Sequence, residues 1–269
     1  MKSPCSLTSE YLAKVVRRHA VKMVHDGRAG HIGAALSCVD ILSVLYADVL
    51  QINPKDPYWE NRDRFVLSKG HAGVALYATL AERGFFPLEE LDTYYKNGST
   101  LSGHVSHKGV PGVEVSTGRL GHGIGIACGM ALAGLLDKRT YRTFVVTGDG
   151  ELNEGAVWET VMFASQHRLS NFTVIVDRNG QQAMGACSEI CDLESISKKF
   201  LDFGWDVMDV NGHDHTELRQ ALTQRTDRPI CVVAQTIKGF GVSFMENKLE
   251  WHYKTPNTDE LNIALAELV

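Results

Sequence analysis

The sequence lacks several features that would each indicate a distinct class of protein. None of its six cysteines forms a Cys-x-x-Cys pair, so buried or free thiols are expected and neither a zinc site nor a disulfide framework is predicted. No apolar run approaches the roughly 20 residues of a membrane span, and residues 1–10 hold no apolar signal core. These absences predict a cytoplasmic location. The cysteines are Cys5, Cys38, Cys128, Cys187, Cys191 and Cys231.

The chain also has no long run of lysine and arginine. Its net charge is −5 and its pI is about 6.1, so a nucleic-acid partner is not expected. A hydrophobic fraction of 44% and a charged fraction of 22% are those of an ordinary globular protein. No repeat, linker or low-complexity segment divides the 269 residues, which predicts a single domain over residues 1–269. Because Met1 begins the chain and a helix closes it, both termini are expected to be complete.

Short runs rich in β-branched residues alternate with helical patterns, which favours an α/β fold with a parallel sheet covered by helices on both faces. The residues between 85 and 116 are rich in glycine and turn formers and predict a long irregular loop. Strands are predicted at residues 64–67, 143–147, 172–176, 205–210 and 230–236. Helices are predicted at residues 10–26, from 38 onward, and at 72–83, 154–167, 193–203, 215–226 and 258–268.

Polar side chains follow two of these predicted strands directly. Asp149 lies in a Gly-Asp-Gly turn after one strand, and Asn179 comes 30 residues later (179 − 149) at the end of the next. Ligands bind at the carboxyl ends of parallel strands. Oxygen ligands beside free backbone N–H groups suit a hard divalent cation that carries a diphosphate. A lone Gly-Asp-Gly is an ordinary turn, but the pair at this spacing predicts a magnesium–diphosphate site.

Further motifs continue this pattern along nearly the whole chain. They are Gly30-His31-Ile32-Gly33, Ser68-Lys69-Gly70-His71-Ala72, Ser102-Gly103-His104, the segment from Glu114 to Gly123, Gly148-Asp149-Gly150-Glu151 with Asp177-Arg178-Asn179, and Lys238-Gly239-Phe240-Gly241 with Trp251-His252. In this order the motifs resemble the thiamine-diphosphate signature and histidine loops of the transketolase family. Trp251-His252 fits transketolases better than the related deoxyxylulose-phosphate synthases.

The resemblance implies a role for each matching residue. Asp149, Asn179 and the Gln181 carbonyl are expected to hold Mg²⁺, for which Ca²⁺ or Mn²⁺ can substitute. Thiamine diphosphate is expected to contact His31, His71, Gly118, Leu120, Gly148, Gly150, Asn179 and His252. The expected catalytic residues are His31, His104 and His252, since histidines that titrate near neutral pH can move protons to sugar hydroxyls and carbonyls. Glu154 is expected at a subunit interface. His19, His25, His167, His213 and His215 are predicted to be surface or structural.

The resemblance covers the first part of a full-length transketolase, which is the diphosphate-binding domain. It implies the N-terminal subunit of a split enzyme, which transfers a two-carbon ketol unit between sugar phosphates. The partner, a C-terminal subunit, is expected to carry the pyrimidine-binding domain and the glutamate that activates the cofactor. A heterotetramer with two copies of each subunit is expected, and this chain alone is expected to be inactive or nearly so.

Two other functions stay open at this point. One is a thiamine-diphosphate subunit of the 2-oxo acid dehydrogenase kind, which gives an acyl group to a carrier thiol. The other is a non-catalytic binding or regulatory remnant of the fold. Arg119, His122 and Tyr253 depart from residues frequent in the family. The donor and acceptor sugars are therefore left open: sugar phosphates are the default, and sulfonated or otherwise modified sugars are the other candidates. The role of Arg119 is left open as well.

Overall fold

The chain is organised around one five-stranded sheet, seen in a computed structural model that describes residues 8–269. Cys5 lies outside the described residues. The strands are β1 (Arg64–Leu67), β2 (Thr143–Gly148), β3 (Phe172–Arg178), β4 (Asp206–Asn211) and β5 (Ile230–Gln235). Their order is β1-β2-β3-β5-β4, and every pairing is parallel. The predicted parallel α/β sheet is confirmed.

Helices connect the strands in sequence. They are α1 (Ser9–Gly27), α2 (Ile32–Ser37), α3 (Val39–Val44), α4 (Gly73–Glu82), α5 (Gly123–Leu136), α6 (Gly155–Gln166), α7 (Cys187–Ile190), α8 (Ile196–Asp202), α9 (His215–Thr223) and α10 (Thr258–Glu267). A π-helical turn at Leu45–Val49 continues α3, and 3₁₀ turns lie at Gly70–Ala72, Leu88–Thr93, Gly150–Asn153 and Leu249–His252. Apart from Leu88–Thr93, the region between residues 85 and 116 is irregular, as predicted.

Alternating residues along the strands pack into two separate apolar clusters. Phe144 and Val146 of β2 join a cluster with α1 to α4, α9 and α10, whereas Val145 between them joins a second cluster with α5, α6 and α8. Ile175 and Val174 of β3 divide in the same way. Because successive side chains of a strand point to opposite faces, the sheet is buried on both sides. The predicted cover of helices on both faces is confirmed.

Two helix starts differ from the sequence prediction. The second helical segment begins at Ile32, six residues before the predicted start, because His31 takes a left-handed conformation with φ 66° that turns the chain into α2. Helix α8 begins at Ile196 instead of residue 193, where the Ser195 side chain accepts a hydrogen bond from Lys198 N at 3.2 Å. Serine is a preferred N-cap residue, and this local bond sets the helix start.

The predicted thiol state is confirmed for the cysteines that the structure describes. Cys38, Cys128, Cys187, Cys191 and Cys231 are all free. Burial raises the pKa of the Cys128 thiol to about 11, which keeps it protonated and unreactive at neutral pH. Over residues 8–269, no helix combines the length and the apolar character needed to cross a membrane.

Candidate functional site

The carboxyl ends of β2 and β3 meet at the same edge of the sheet. Gly148 of β2 is in register with Asp177 of β3, so the turns that follow these strands are adjacent. The Asp149 carboxylate reaches across, and its Oδ2 accepts a hydrogen bond from Gly180 N at 2.6 Å. The strands that precede Asp149 and Asn179 are neighbours, so the Asp149 carboxylate lies beside the turn that holds Asn179.

A cavity of about 260 Å³ opens at this edge. Every residue predicted for the site lines it, with the exception of Glu154. The lining residues from the prediction are His31, His71, His104, Gly118, Leu120, Gly148, Asp149, Gly150, Asn179, Gln181 and His252. Glu154 instead lies exposed at the N-terminus of α6, where its side chain packs on Gly121. The fold therefore brings residues from seven separate chain segments into one pocket.

Asp149 is a buried acidic side chain that lines the pocket. The residue is 6% exposed. Burial and the nearby Asp177 carboxylate raise its pKa, although amide hydrogen bonds from Gly180 and Gly150 act in the opposite direction. Across residues 8–269, no three His, Cys, Asp or Glu side chains form a metal-binding group. A cation at Asp149 would therefore depend on amide and carbonyl oxygens for its other protein ligands.

A buried ion pair orients Asn179 beneath the pocket. The Lys69 ammonium contacts the Asp177 carboxylate, and these residues are 1% and 0% exposed. Burial alone would lower the pKa of Lys69, but the Asp177 charge raises it overall, so the pair is ionised. Asn179 Nδ2 donates to Asp177 Oδ2 at 3.3 Å. This bond directs the amide nitrogen to the ion pair and leaves Asn179 Oδ1 as the available oxygen.

Four histidines from distant parts of the sequence form one cluster in the cavity. The His31 ring centroid lies 5.3 Å from that of His71, 5.6 Å from that of His104 and 4.9 Å from that of His252. His31 N also donates to the His252 carbonyl at 2.7 Å, which joins the first and last of the predicted histidine loops. The cluster places several imidazoles within reach of one bound molecule.

The expectation of titration near neutral pH is wrong for two of the three predicted catalytic histidines. Burial, followed by the charges of His104 and Lys238, lowers the pKa of His31 to about 4. Burial, followed by Lys238, lowers the pKa of His252 to about 4. Burial and Lys69 likewise lower the pKa of His71 well below its usual value. These three rings are therefore neutral at physiological pH, where each offers one N–H donor and one acceptor nitrogen.

Gly118 is needed for the packing of His104. A Cβ on Gly118 would lie 2.7 Å from His104 Cδ2, and the residue has φ 144°, which side chains rarely tolerate. The glycine predicted to contact thiamine diphosphate thus also holds a histidine ring against its backbone. Leu120 follows two residues later and lines the same cavity.

Sequence reasoning assigned no role to Lys238, although the motif that contains it was recognised. Lys238 is 1% exposed, and its ammonium donates to the Gln182 carbonyl at 3.1 Å and contacts His252 Nδ1 at 3.2 Å. Burial, followed by the charge of Lys69, lowers the pKa of Lys238 to about 8. Nothing in the local sequence Lys-Gly-Phe-Gly indicates that the chain turns here and brings the lysine side chain into a pocket.

Comparison with known proteins gives the family. The family model described as "Transketolase, thiamine diphosphate binding domain" matches residues 8–267. The chain belongs to the transketolase family. Among transketolase relatives, an apulose-4-phosphate transketolase subunit of Phocaeicola vulgatus is 40% identical over 264 residues, which cover 97% of this chain and 94% of the relative. The 6-deoxy-6-sulfo-D-fructose transketolase subunit of a Clostridium species is 38% identical and covers 96% and 95%.

Solved transketolases share the fold as well. The transketolase of Campylobacter jejuni superposes with a TM-score of 0.92 at 32% sequence identity and matches 97% of this chain. The match takes up 42% of that longer chain. Human transketolase is 39% identical over 245 residues, which make up 39% of its length. This chain therefore corresponds to the thiamine-diphosphate-binding portion of longer transketolases and to nearly the full span of relatives that are named as single transketolase subunits.

Proposed function

We propose that this chain is the diphosphate-binding subunit of a transketolase that transfers a two-carbon ketol unit from a ketose to an aldose, with thiamine diphosphate and Mg²⁺. One observation carries the proposal. A buried acidic side chain, Asp149, and a buried lysine, Lys238, line the same pocket as the cluster of four histidines. The acidic side chain suits a cation, the lysine suits the diphosphate that the cation carries, and the histidines suit a hydroxylated substrate.

The residues around Asp149 fit a magnesium ion. Its raised pKa reflects negative charge that a bound cation would offset, since burial and Asp177 are the main causes. The proposed protein ligands are the Asp149 carboxylate, Asn179 Oδ1 and the Gln181 carbonyl. Asn179 Oδ1 accepts only the Gln181 amide among the described residues, at 3.1 Å, so it keeps a lone pair for the ion. The cofactor's phosphates and water would supply the rest of a six-oxygen shell.

The same pocket fits a diphosphate. Lys238 offers a buried cation, and His71 and His252 offer neutral N–H groups. The Gly150 amide, proposed as a further donor, already donates to Asp149 Oδ1 at 2.8 Å. A diphosphate contact from this amide therefore requires the Asp149 carboxylate to turn toward the cation first. Metal and diphosphate are in this way expected to bind together.

Thiamine diphosphate, held by these residues, would supply a carbon nucleophile, its deprotonated thiazolium C2, and an electron sink for the C–C bond of the ketose that breaks. The chain's own histidines would then act on the sugar. His31, His104 and His252 are proposed to donate to or accept from its hydroxyl and carbonyl oxygens. His31 Nδ1 is buried and has no hydrogen-bond partner among residues 8–269, so it can receive a ligand group. As neutral rings, His31 and His252 can orient the sugar through hydrogen bonds without placing positive charge beside the thiazolium.

A partner subunit is part of the proposal. The two relatives of similar length are themselves named as transketolase subunits. Helices α5 and α6 also expose large apolar side chains, among them Leu136 (72%), Met162 (49%) and Phe163 (43%), and Glu154 lies exposed at the start of α6. We propose a heterotetramer in which the partner brings the pyrimidine-binding domain and the activating glutamate, with Glu154 at the interface. We also propose a cytoplasmic location, because the cysteines that the structure describes are free thiols and disulfides are rare in the cytosol.

The relatives do not fix the sugar. Their names specify apulose 4-phosphate in one case and 6-deoxy-6-sulfo-D-fructose in another, at 40% and 38% identity to this chain. Since two chains almost equally similar to this one are named for different sugars, we propose an anionic or modified ketose as the substrate class. Exposed Arg119, close in sequence to the pocket residues Gly118 and Leu120, is one candidate for an anion contact.

The test is an assay of the chain together with a partner that carries a pyrimidine-binding domain. We expect the pair to transfer a ketol unit from ketose phosphates to aldehyde acceptors in the presence of Mg²⁺ and thiamine diphosphate. Acylation of a carrier thiol from a 2-oxo acid instead would establish the acyl-transferring alternative. Failure of the pair to bind the cofactor at all would favour the non-catalytic alternative.

The affinity for Mg²⁺-thiamine diphosphate is expected to fall as pH rises above about 8, the value to which burial lowers the pKa of Lys238. The protonated ammonium attracts the diphosphate, so affinity is complete below this pKa and declines as the proton is lost. One proton gives at most about a tenfold change per pH unit. Calorimetric titrations at several pH values would measure it.

Lys238→Met should flatten this pH dependence and weaken binding at pH 7 by about tenfold or more, as for a lost charge-assisted hydrogen bond. Lys248→Met, which removes an exposed lysine of the same segment, is the matched control and should keep the wild-type profile. An unchanged profile in Lys238→Met would show that another group binds the diphosphate.

A further inference from the structure

A buried polar cluster lies behind the wall of the pocket that carries Lys238. Its centre is Asp40 of α3, which is 3% exposed. Asp40 Oδ1 accepts from Arg17 Nη1 at 2.9 Å and from His215 Nε2 at 3.0 Å. Its Oδ2 accepts from His213 Nδ1 at 2.7 Å and also contacts Arg17. None of these four side chains lines the site pocket, and the proposed chemistry gives them no part.

His213 connects this cluster to the pocket wall. Its Nε2 accepts a hydrogen bond from Ile237 N at 2.9 Å, and Ile237 directly precedes Lys238. The His213 ring also stacks on Phe240, with ring centroids 3.6 Å apart and an interplanar angle of 16°. The same side chain therefore holds the residue before Lys238 and the ring two residues after it.

The two bonds of His213 define its state. A nitrogen that accepts an N–H carries no proton, so Nε2 is free of hydrogen and Nδ1 holds the proton given to Asp40. Asp40 is the group that selects this tautomer. Burial alone would raise the pKa of Asp40, but hydrogen bonds from His213, His215 and Arg17 keep it far lower, so the acceptor is a carboxylate.

His215 offers a natural comparison. It also donates to Asp40, and its side chain is 10% exposed, close to the 9% of His213, but its contacts lie with Asp40 and, at 4.0 Å, with Glu10. Residues 237–241 form the turn that carries Lys238, called the Lys238 turn below. Backbone hydrogen bonds hold its far side, since Gly239 N donates to Gly33 O at 2.9 Å and Asn247 N to Lys238 O at 2.8 Å. On the near side, Thr236 donates to Asp177 through its hydroxyl and to the Arg178 carbonyl through its amide, and His213 holds Ile237, the residue directly before Lys238.

We propose that His213, held in one tautomer by Asp40, is a positioning residue that fixes the Lys238 turn and thereby the ammonium that faces the diphosphate. The inference rests on the proposed cofactor site, because the function of Lys238 there gives the positioning its purpose. His213 itself touches neither substrate nor cofactor. Its effect is transmitted through the Ile237 amide and the Phe240 ring to the Lys238 side chain.

Three variants of the full chain separate positioning from general stability. His213→Phe keeps a ring to stack on Phe240 and removes both hydrogen bonds. His213→Gln restores a donor and an acceptor at a similar separation. His215→Phe removes an Asp40 bond without touching the turn. Two measurements apply to each variant: hydrogen exchange of the backbone at residues 237–241, and the dissociation constant of Mg²⁺-thiamine diphosphate by calorimetry.

We expect His213→Phe to speed exchange at residues 237–241 and to weaken cofactor binding by about tenfold, as for the loss of a buried hydrogen bond. His213→Gln should recover most of both, and His215→Phe should leave both within about threefold of wild type. Equal losses in the two phenylalanine variants would overturn the positioning role in favour of a general stability effect. Unchanged exchange and affinity in His213→Phe would overturn it outright.

The two measurements also distinguish this inference from the proposed function. Wild-type chain that fails to bind Mg²⁺-thiamine diphosphate with its partner present would count against the cofactor site. The exchange comparison between His213→Phe and His215→Phe needs no cofactor and would still decide whether His213 holds the turn. Faster exchange in both variants would reject the inference whatever the cofactor result.

Discussion

Asp149→Ala is expected to abolish binding of Mg²⁺-thiamine diphosphate, with at least about a 100-fold loss of affinity, equal to about 2.8 kcal/mol. The carboxylate is the only acidic side chain among the proposed metal ligands, and it is 6% exposed. Removing it would leave a divalent cation with amide and carbonyl oxygens alone in a buried site, where losing a charged partner costs several kcal/mol. Calorimetry with the cofactor at fixed Mg²⁺, and with the partner subunit present, measures the change.

The fold of the Asp149→Ala chain is expected to survive. The variant loses hydrogen bonds from Gly150 N and Gly180 N, but it also loses a buried charge that Asp177 repels. These effects oppose each other and should leave metal-free stability within about 2 kcal/mol of wild type. Asp202→Ala, which removes an exposed carboxylate at the end of α8, is the control and should bind normally. Wild-type affinity in Asp149→Ala would reject this residue as the metal ligand.

The second large effect concerns the partner. Assayed alone with Mg²⁺ and thiamine diphosphate, the chain is expected to show less than about a thousandth of the ketol-transfer rate of the assembled enzyme, the scale of a missing acid–base group. The proposed reason is that the activating glutamate belongs to the partner. The site of this chain would still hold the metal and diphosphate end of the cofactor through Asp149 and Lys238.

Titration of the partner into a fixed amount of this chain provides the measurement. Activity should rise with added partner and level off at a defined ratio, equal numbers of the two subunits for the proposed heterotetramer. Sedimentation of the same mixtures gives the assembly state independently. Full turnover by the purified chain in the absence of any partner would contradict the proposed division of the active site between two polypeptides.

Helices α5 and α6 expose faces that the proposed partner is expected to cover. Small residues such as Gly125 and Gly129 lie exposed on α5, beside the exposed Phe163 of α6. A helix that is apolar on all sides is usually covered. Helix α5 is rich in glycine and alanine, and the packing in the structure reveals which of its faces the sheet leaves open.

The alternation of strands and helices, and the edge of the sheet where the candidate site lies, were predicted from the sequence. Runs such as residues 143–147 and 172–176 are dominated by apolar and β-branched residues, which is what a strand covered on both faces requires. Since parallel strands end at the same edge, Asp149 and Asn179 had to approach each other once their strands became neighbours. The resemblance to transketolases rested on local motifs, and the family match over residues 8–267 agrees with it.

Other features depend on long-range contacts and became visible only in the tertiary structure. Sequence places His31 and His252 far apart along the chain, but the fold brings their ring centroids to 4.9 Å. Their pKa values near 4 follow from burial and from Lys238, a neighbour that no local pattern indicates. The start of α2 at Ile32 depends on the left-handed His31, which its bond to the His252 carbonyl stabilises.

The sequence by itself determined the sheet, the strand ends and the residue types that can hold a metal and a diphosphate, because these depend on short-range patterns of burial and turn chemistry. The tertiary structure decided which side chains of the site are charged and which residues hold them in position. The neutral state of the buried histidines, the position of Lys238 and its link through His213 to Asp40 depend on which segments pack together. Electrostatic shifts act over a few ångströms of space, whatever the separation along the chain.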